Sequence, residues 1–281
     1  MHSSQLTGVR PMSDTAPVEF ADYPPPVDRL LQLGDANATV FAWPDYPAMG
    51  LTDEHIAQLV RLATDVALHT SEADIPQVWG PVHAWRTLGQ LGAPAAVEPL
   101  LDLMGQLPED DWVDIEIPRV LQMIGMAALP ATLALVSNRD LSTDMRSSPL
   151  SALTLIARKY PEAREIVVAE LTSQLAAAAT NDAQWNAFLI GSLIELDGLE
   201  ALAAIEGAFA TGNVAETFIG DWDDVQVAFG LKSPRRLPGG WLPPVFGFGG
   251  RAGGSAKGAK RAQDQRRKMA KRSRKQNRKR R

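Results

Sequence analysis

The sequence predicts an all-α fold: an α-solenoid of about four to five helix pairs, with an extended N-terminal arm and a disordered basic C-terminal tail. Apolar residues make up 45% of the chain but aromatics only 6%, so Ala, Leu, Val and Ile must build the core. That composition suits close helix packing better than the Tyr/Phe/Val patterning of a sheet. Helix-spaced apolar segments turn at Gly92, Gly125, Tyr160 and Gly198, with separations of 33, 35 and 38 residues. A drifting period of that length, with two helices per unit, is the mark of a helical solenoid. The expected boundaries are an arm over residues 1–49, the solenoid over 50–231, a Gly/Pro-rich linker over 232–259 and a tail over 260–281.

The arm comes first. Pro24, Pro25 and Pro26 predict an extended entry, and Pro44 and Pro47 keep the chain out of regular structure as far as Gly50. Met12 is a second candidate start, and residues 1–11 show neither helical nor strand periodicity. Thr52 then predicts an N-cap, with Asp53 and Glu54 in the first turn and a Leu51–Ile56 staple. Ile56, Leu59, Val60, Ala63, Val66 and Ala67 line one face of a single helix.

Two short helices meet at Gly92, the second beginning near Pro94, where a missing N–H costs nothing. A second pair is expected from Pro118 to Gly125 and from Ala127 to Val136. The third opens at Pro149 behind a Ser148 cap and restarts at Pro161. In the fourth, Asp182 caps a helix through Trp185, Leu189 and Leu193, Asp197-Gly198 turns, and Leu202, Ile205 and Phe209 line the partner helix. Residues 221–229 predict a short closing helix.

The stretch Leu88-Gly89-Gln90-Leu91-Gly92-Ala93-Pro94-Ala95-Ala96-Val97-Glu98-Pro99-Leu100-Leu101 resembles a HEAT-like repeat of the short bacterial kind first noted in phycocyanobilin lyases. The units turning at Gly125 and Gly198 are degenerate and the one at Tyr160 lacks the turn glycine. The resemblance covers residues 51–229 and implies an α-solenoid with a binding role. The repeat carries no catalytic residues.

Charge is split between two parts of the chain. Up to Gly250 there are 13 basic and 32 acidic residues (net −19); beyond it there are 15 basic residues and one acid (net +14). The cations of the last segment are Lys260, Arg261, Arg266, Arg267, Lys268, Lys271, Arg272, Arg274, Lys275, Arg278, Lys279, Arg280 and Arg281. Such a run predicts a salt-sensitive grip on RNA, a ribosomal surface or another polyanion, against the plainer reading as a solubility tag. No aromatic is interleaved, which argues against sequence-specific reading. With only Ala262, Met269 and Ala270 as apolar residues, the tail has no stripe for a membrane.

The acidic body suggests a protein partner instead. Glu98 and Asp102 lie four apart on a predicted inner helix, a like-charge spacing that calls for a cation. Asp110, Asp111, Asp114 and Glu116 surround Trp112 in what reads as the following loop. Together they describe one end of an acidic groove for a basic peptide, against the alternative of ordinary solvated surface.

Cysteine is absent, which removes disulfides, thiolate nucleophiles and Cys-bound metals. The four histidines lack metal-ligand spacing, and His83 is expected to bond a backbone group. Trp85 and Trp185 fall among apolar residues and read as core. No phosphate loop or nucleophile elbow occurs. No secretory signal and no membrane-length apolar run are apparent, so a cytoplasmic location is expected.

The resulting expectation is a non-enzymatic scaffold with no cofactor, metal or small-molecule substrate. One alternative is an enzyme on a HEAT-like scaffold, of the alkylpurine DNA glycosylase or chromophore-lyase type, using Trp112, Glu116 and Trp185. The other is a self-masking regulator whose tail docks on its own body.

Overall fold

In a computed structural model, residues 22–39, 42–71, 75–108 and 110–233 are described, and among them every regular element is helical. The linker beyond residue 233 and the basic tail lie outside the described residues.

The arm differs from the expected extended chain. It winds into three 3-10 turns, Val27–Gln32, Ala36–Thr39 and Pro47–Met49. Val27, Leu30, Ala36 and Tyr46 are buried completely. Proline fixes φ near the helical value, so Pro-rich chain is as suited to tight turns as to extension once apolar residues can be buried.

The helix expected over 56–67 is two helices. α1 (Ile56–Ala63) follows the 3-10 turn Asp53–His55, where Thr52 and His55 form a capping box. α2 (Val66–Thr70) starts afresh because the Asp65 side chain accepts from the Leu68 N–H. The Tyr23 hydroxyl donates to the same carboxylate at 2.7 Å, tying the arm to this break.

α3 (Gly80–Leu91) and α4 (Val97–Gln106) turn at Gly92, whose φ of +63° only glycine adopts without strain. Pro94 opens the intervening 3-10 turn. α5 (Asp111–Ile124) and α6 (Leu129–Ser137) make the next pair, then α7 (Thr143–Lys159) and α8 (Pro161–Leu175), joined at Tyr160. α9 (Ala183–Glu195) is capped by Asp182 as the sequence predicts, and α10 (Leu202–Ala210) follows. α11 (Glu216–Ile219) and α12 (Trp222–Ala228) end the described fold, the latter in an Asp221–Asp224 capping box.

α5 and α7 begin earlier than the prolines suggest. Asp110 and Ser142 are the true N-caps, accepting from Val113 and Met145 N–H groups, while Pro118 and Pro149 sit inside their helices. The acidic segment around Trp112 is therefore helix, not loop.

α4 packs on α5, α6 on α7, α7 on α8 and α8 on α9, and helices two apart also pack together. α3, α5, α7 and α9 follow side by side, as do α4, α6, α8 and α10. One contiguous core runs through them from Tyr23 to Val225. The stretch Asp111–Ser137 is long and apolar enough to span a membrane by length and composition alone. In the fold it is broken at Gly125 (φ +83°), and both α5 and α6 pack on α7.

Candidate functional site

The first turns of α3, α5, α7, α9 and α12 carry aromatic or cationic residues at near-regular spacing. They are Trp79 just before α3, Trp112 in α5, Arg146 in α7, Trp185 in α9 and Trp222 in α12. Their separations of 33, 34, 39 and 37 residues follow the repeat period. Trp79 and Trp112 meet edge to face at 5.3 Å. Arg146 lies over the Trp185 ring, its Cζ 4.0 Å from the centroid. Trp79 with Trp112 and Arg146 with Trp185 thus form two contacts within a series visible in the sequence only if tryptophans are counted with the turn period.

At its first end a buried ion pair joins three elements. The Arg86 guanidinium of α3 donates from Nε and Nη2 to the two Glu116 oxygens of α5, at 2.6 and 2.5 Å. Trp85 Nε1 donates to the same carboxylate, and Arg86 Nη1 donates to Thr39 Oγ1 at 2.8 Å. The pair is sealed, with side chains 0% and 1% exposed. Trp43 of the arm lies over Arg86 and also over Arg119. Two charges survive burial only when every partner is met, as here by a bidentate fork plus arm oxygens.

Beside it, the His83 Nε2–H donates to the Gly34 carbonyl, which leaves Nδ1 to accept from the Tyr46 hydroxyl at 2.7 Å. Burial pushes the His83 pKa down, consistent with this neutral tautomer. The backbone bond expected for His83 is thus present, and it clamps the arm. Gln90 adds two more ties, donating to the Pro44 carbonyl and accepting from the Tyr46 N–H.

The acidic residues singled out from the sequence do not all reach the surface. Glu98 and Asp102 are exposed on α4. Asp110, Asp111 and Asp114 sit half-buried at the start of α5, with Asp114 accepting from Ser148 at 2.6 Å. Burial raises the Asp114 pKa to about 6, with the Asp110 and Asp111 charges adding to it and Ser148 opposing. Glu116 faces the core, so it is separated from its three acidic neighbours and offers no carboxylate to solvent. Trp85 and Trp185 are core residues, as expected.

Among the described residues no three His, Asp or Glu side chains are grouped to hold a metal ion. No family model, curated protein or solved structure matches the chain. The arrangement itself must therefore carry any functional argument. Its two chemically distinct parts are the half-buried carboxylates at the start of α5 and the Arg146–Trp185 stack between α7 and α9.

Proposed function

We propose that this protein is a non-enzymatic interaction scaffold: a HEAT-like α-solenoid that presents an acidic surface to a basic protein partner, with a disordered basic tail that grips RNA, a ribosomal surface or another polyanion. The observation that carries this reading is the charge split, net −19 up to Gly250 and net +14 beyond it. An acidic body repels phosphate at long range, whereas a dense Lys/Arg run binds it through counterion release, so the two ends suit different partners. The side-by-side order of helices two apart supports the solenoid, since repeat units bury their faces only against neighbours.

The half-buried Asp110, Asp111 and Asp114, with exposed Glu98 and Asp102 on α4, supply the negative field. Glu116 is left out of this docking set because its carboxylate is consumed by Arg86. The same burial weakens the glycosylase alternative, which needs that carboxylate free to meet a substrate.

A chain ending at Gly250 tests the tail assignment against the full chain, using a homopolymeric single-stranded RNA at several salt concentrations. The full chain should bind with an affinity that falls steeply with salt. The truncated chain should lose that binding but keep its helical circular dichroism and cooperative melting. Salt-sensitive binding that survives truncation would overturn the assignment. Small-angle scattering separates the self-masking alternative: a tail docked on the body predicts expansion as salt rises, and an independent tail predicts contraction.

A further inference from the structure

Arg146 departs from the rule that a buried guanidinium is fully paired. It is 7% exposed, its guanidinium makes no hydrogen bond or ion pair with any described residue, and its Nε is buried without an acceptor. Its one strong contact is the Trp185 ring, at 4.0 Å. An arginine cannot shed its charge, so sealing its Nε–H from solvent without an acceptor is costly as it stands. Burial and the nearby Arg139 charge act against the cation, and only Asp182 favours it.

The surroundings hold the guanidinium in place without satisfying it. Trp185 is locked by its Nε1–H donating to Gln174 Oε1 at 3.0 Å. Gln174 in turn donates to Glu170, which also accepts from Ser137, so α6, α8 and α9 brace one indole. Arg146 lies in the first turn of α7 and Trp185 in the first turn of α9, and the two helices pack together. The first turns of α7 and α9 thus meet beside this cation; the Asp182 carboxylate already accepts from the Gln184 and Trp185 N–H groups, so the attraction for a further anion comes from the guanidinium.

From these observations we infer that the Arg146–Trp185 stack at the paired first turns of α7 and α9 is a receptor for a small oxyanion, a ligand carrying one carboxylate or phosphate group. A polyanion is disfavoured, because Asp144 and Asp182 flank the same turns and the body carries a large net negative charge. Prior stacking on a braced indole means little rotamer freedom is lost on binding. This inference rests on different residues from the scaffold reading and does not depend on it.

The test uses the 15N-labelled full chain at pH 7. The Arg146 Nε–Hε and Trp185 Nε1–H resonances are assigned by their loss in Arg146→Lys and Trp185→Phe, then followed through titrations with sodium acetate, sodium phosphate and sodium chloride at matched ionic strength. The expected result is a joint, saturable shift of both signals with acetate or phosphate, at roughly ten-fold lower concentration than any effect of chloride. Whichever oxyanion saturates first identifies the group. In Arg146→Met the Trp185 response should vanish while the shifts of tail resonances persist. Removal of an unpaired buried charge should also leave the melting temperature in chloride within about 5 °C of the parent. Shifts that never saturate, that chloride reproduces, or that survive in Arg146→Met would overturn the inference. So would a much larger drop in melting temperature, which would mark Arg146 as a structural plug.

Discussion

Glu116 and Arg86 show how one residue can hold an arm to a body. The pair places a full charge of each sign in the core and passes the guanidinium's remaining donors to Thr39 and the Ala36 carbonyl. Glu116→Gln should therefore cost about 3–5 kcal/mol, because it leaves Arg86 buried without its countercharge. Urea melts would measure this, and Arg86→Met combined with Glu116→Leu should recover most of the loss. Asp114 makes a prediction of opposite sense. Its folded pKa of about 6 lies above the ordinary 3.8, so the folded state holds a proton that the unfolded chain releases. Stability should fall as pH rises from about 4 to about 6, by on the order of 1–2 kcal/mol, and Asp114→Asn should flatten that slope. A slope unchanged in the variant would assign the pH dependence elsewhere. Sequence spacing placed Asp114 and Glu116 together. It could not separate them, because the segment reads as loop; on the helix it forms, residues two apart point to nearly opposite faces, and the packing of α5 against α3 decides which face is core.

At the scale of elements, prolines were the main source of misreading. Pro118 and Pro149 look like helix starts, yet the caps lie further upstream at Asp110 and Ser142. An interior proline deprives a carbonyl of its donor at a cost of about 3 kcal/mol, which the burial of both rings in the stack offsets. Pro94 and Pro161, by contrast, open their elements as the sequence implies. The arm was misjudged for a related reason: its apolar residues have no regular period, so nothing local announces that Leu30 and Tyr46 are buried. Leu30→Ala should cost about 2–5 kcal/mol in thermal or urea unfolding, as expected of core and not of a loose arm. Gly125 offers a second check. Its φ is +83°, and an added Cβ would come within 2.5 Å of the Tyr160 hydroxyl. Gly125→Ala should therefore destabilise by at least about 1 kcal/mol, from backbone strain as well as the clash, and Tyr160→Phe in the same chain should restore only part of it.

For the whole molecule, the charge split sets the expectation. Single-stranded RNA releases counterions with a log–log salt slope of roughly −0.7 per phosphate neutralised, so a tail of many cations should give a slope of several units. A full chain whose RNA affinity is nearly independent of salt would contradict the proposed grip. Composition and period alone determined the helical class, the turns at Gly92 and Tyr160, the caps Thr52 and Asp182, and the core role of Trp85 and Trp185. Those features depend on forces that act within a turn or two of chain, or on burial of strongly apolar runs. Only the tertiary structure decided that the arm is core, that Glu116 is spent on Arg86, and that Arg146 rests on Trp185 with its Nε–H unmet. Each of these joins residues at least 30 positions apart, and such pairings are set by how the helices stack, which no local pattern records.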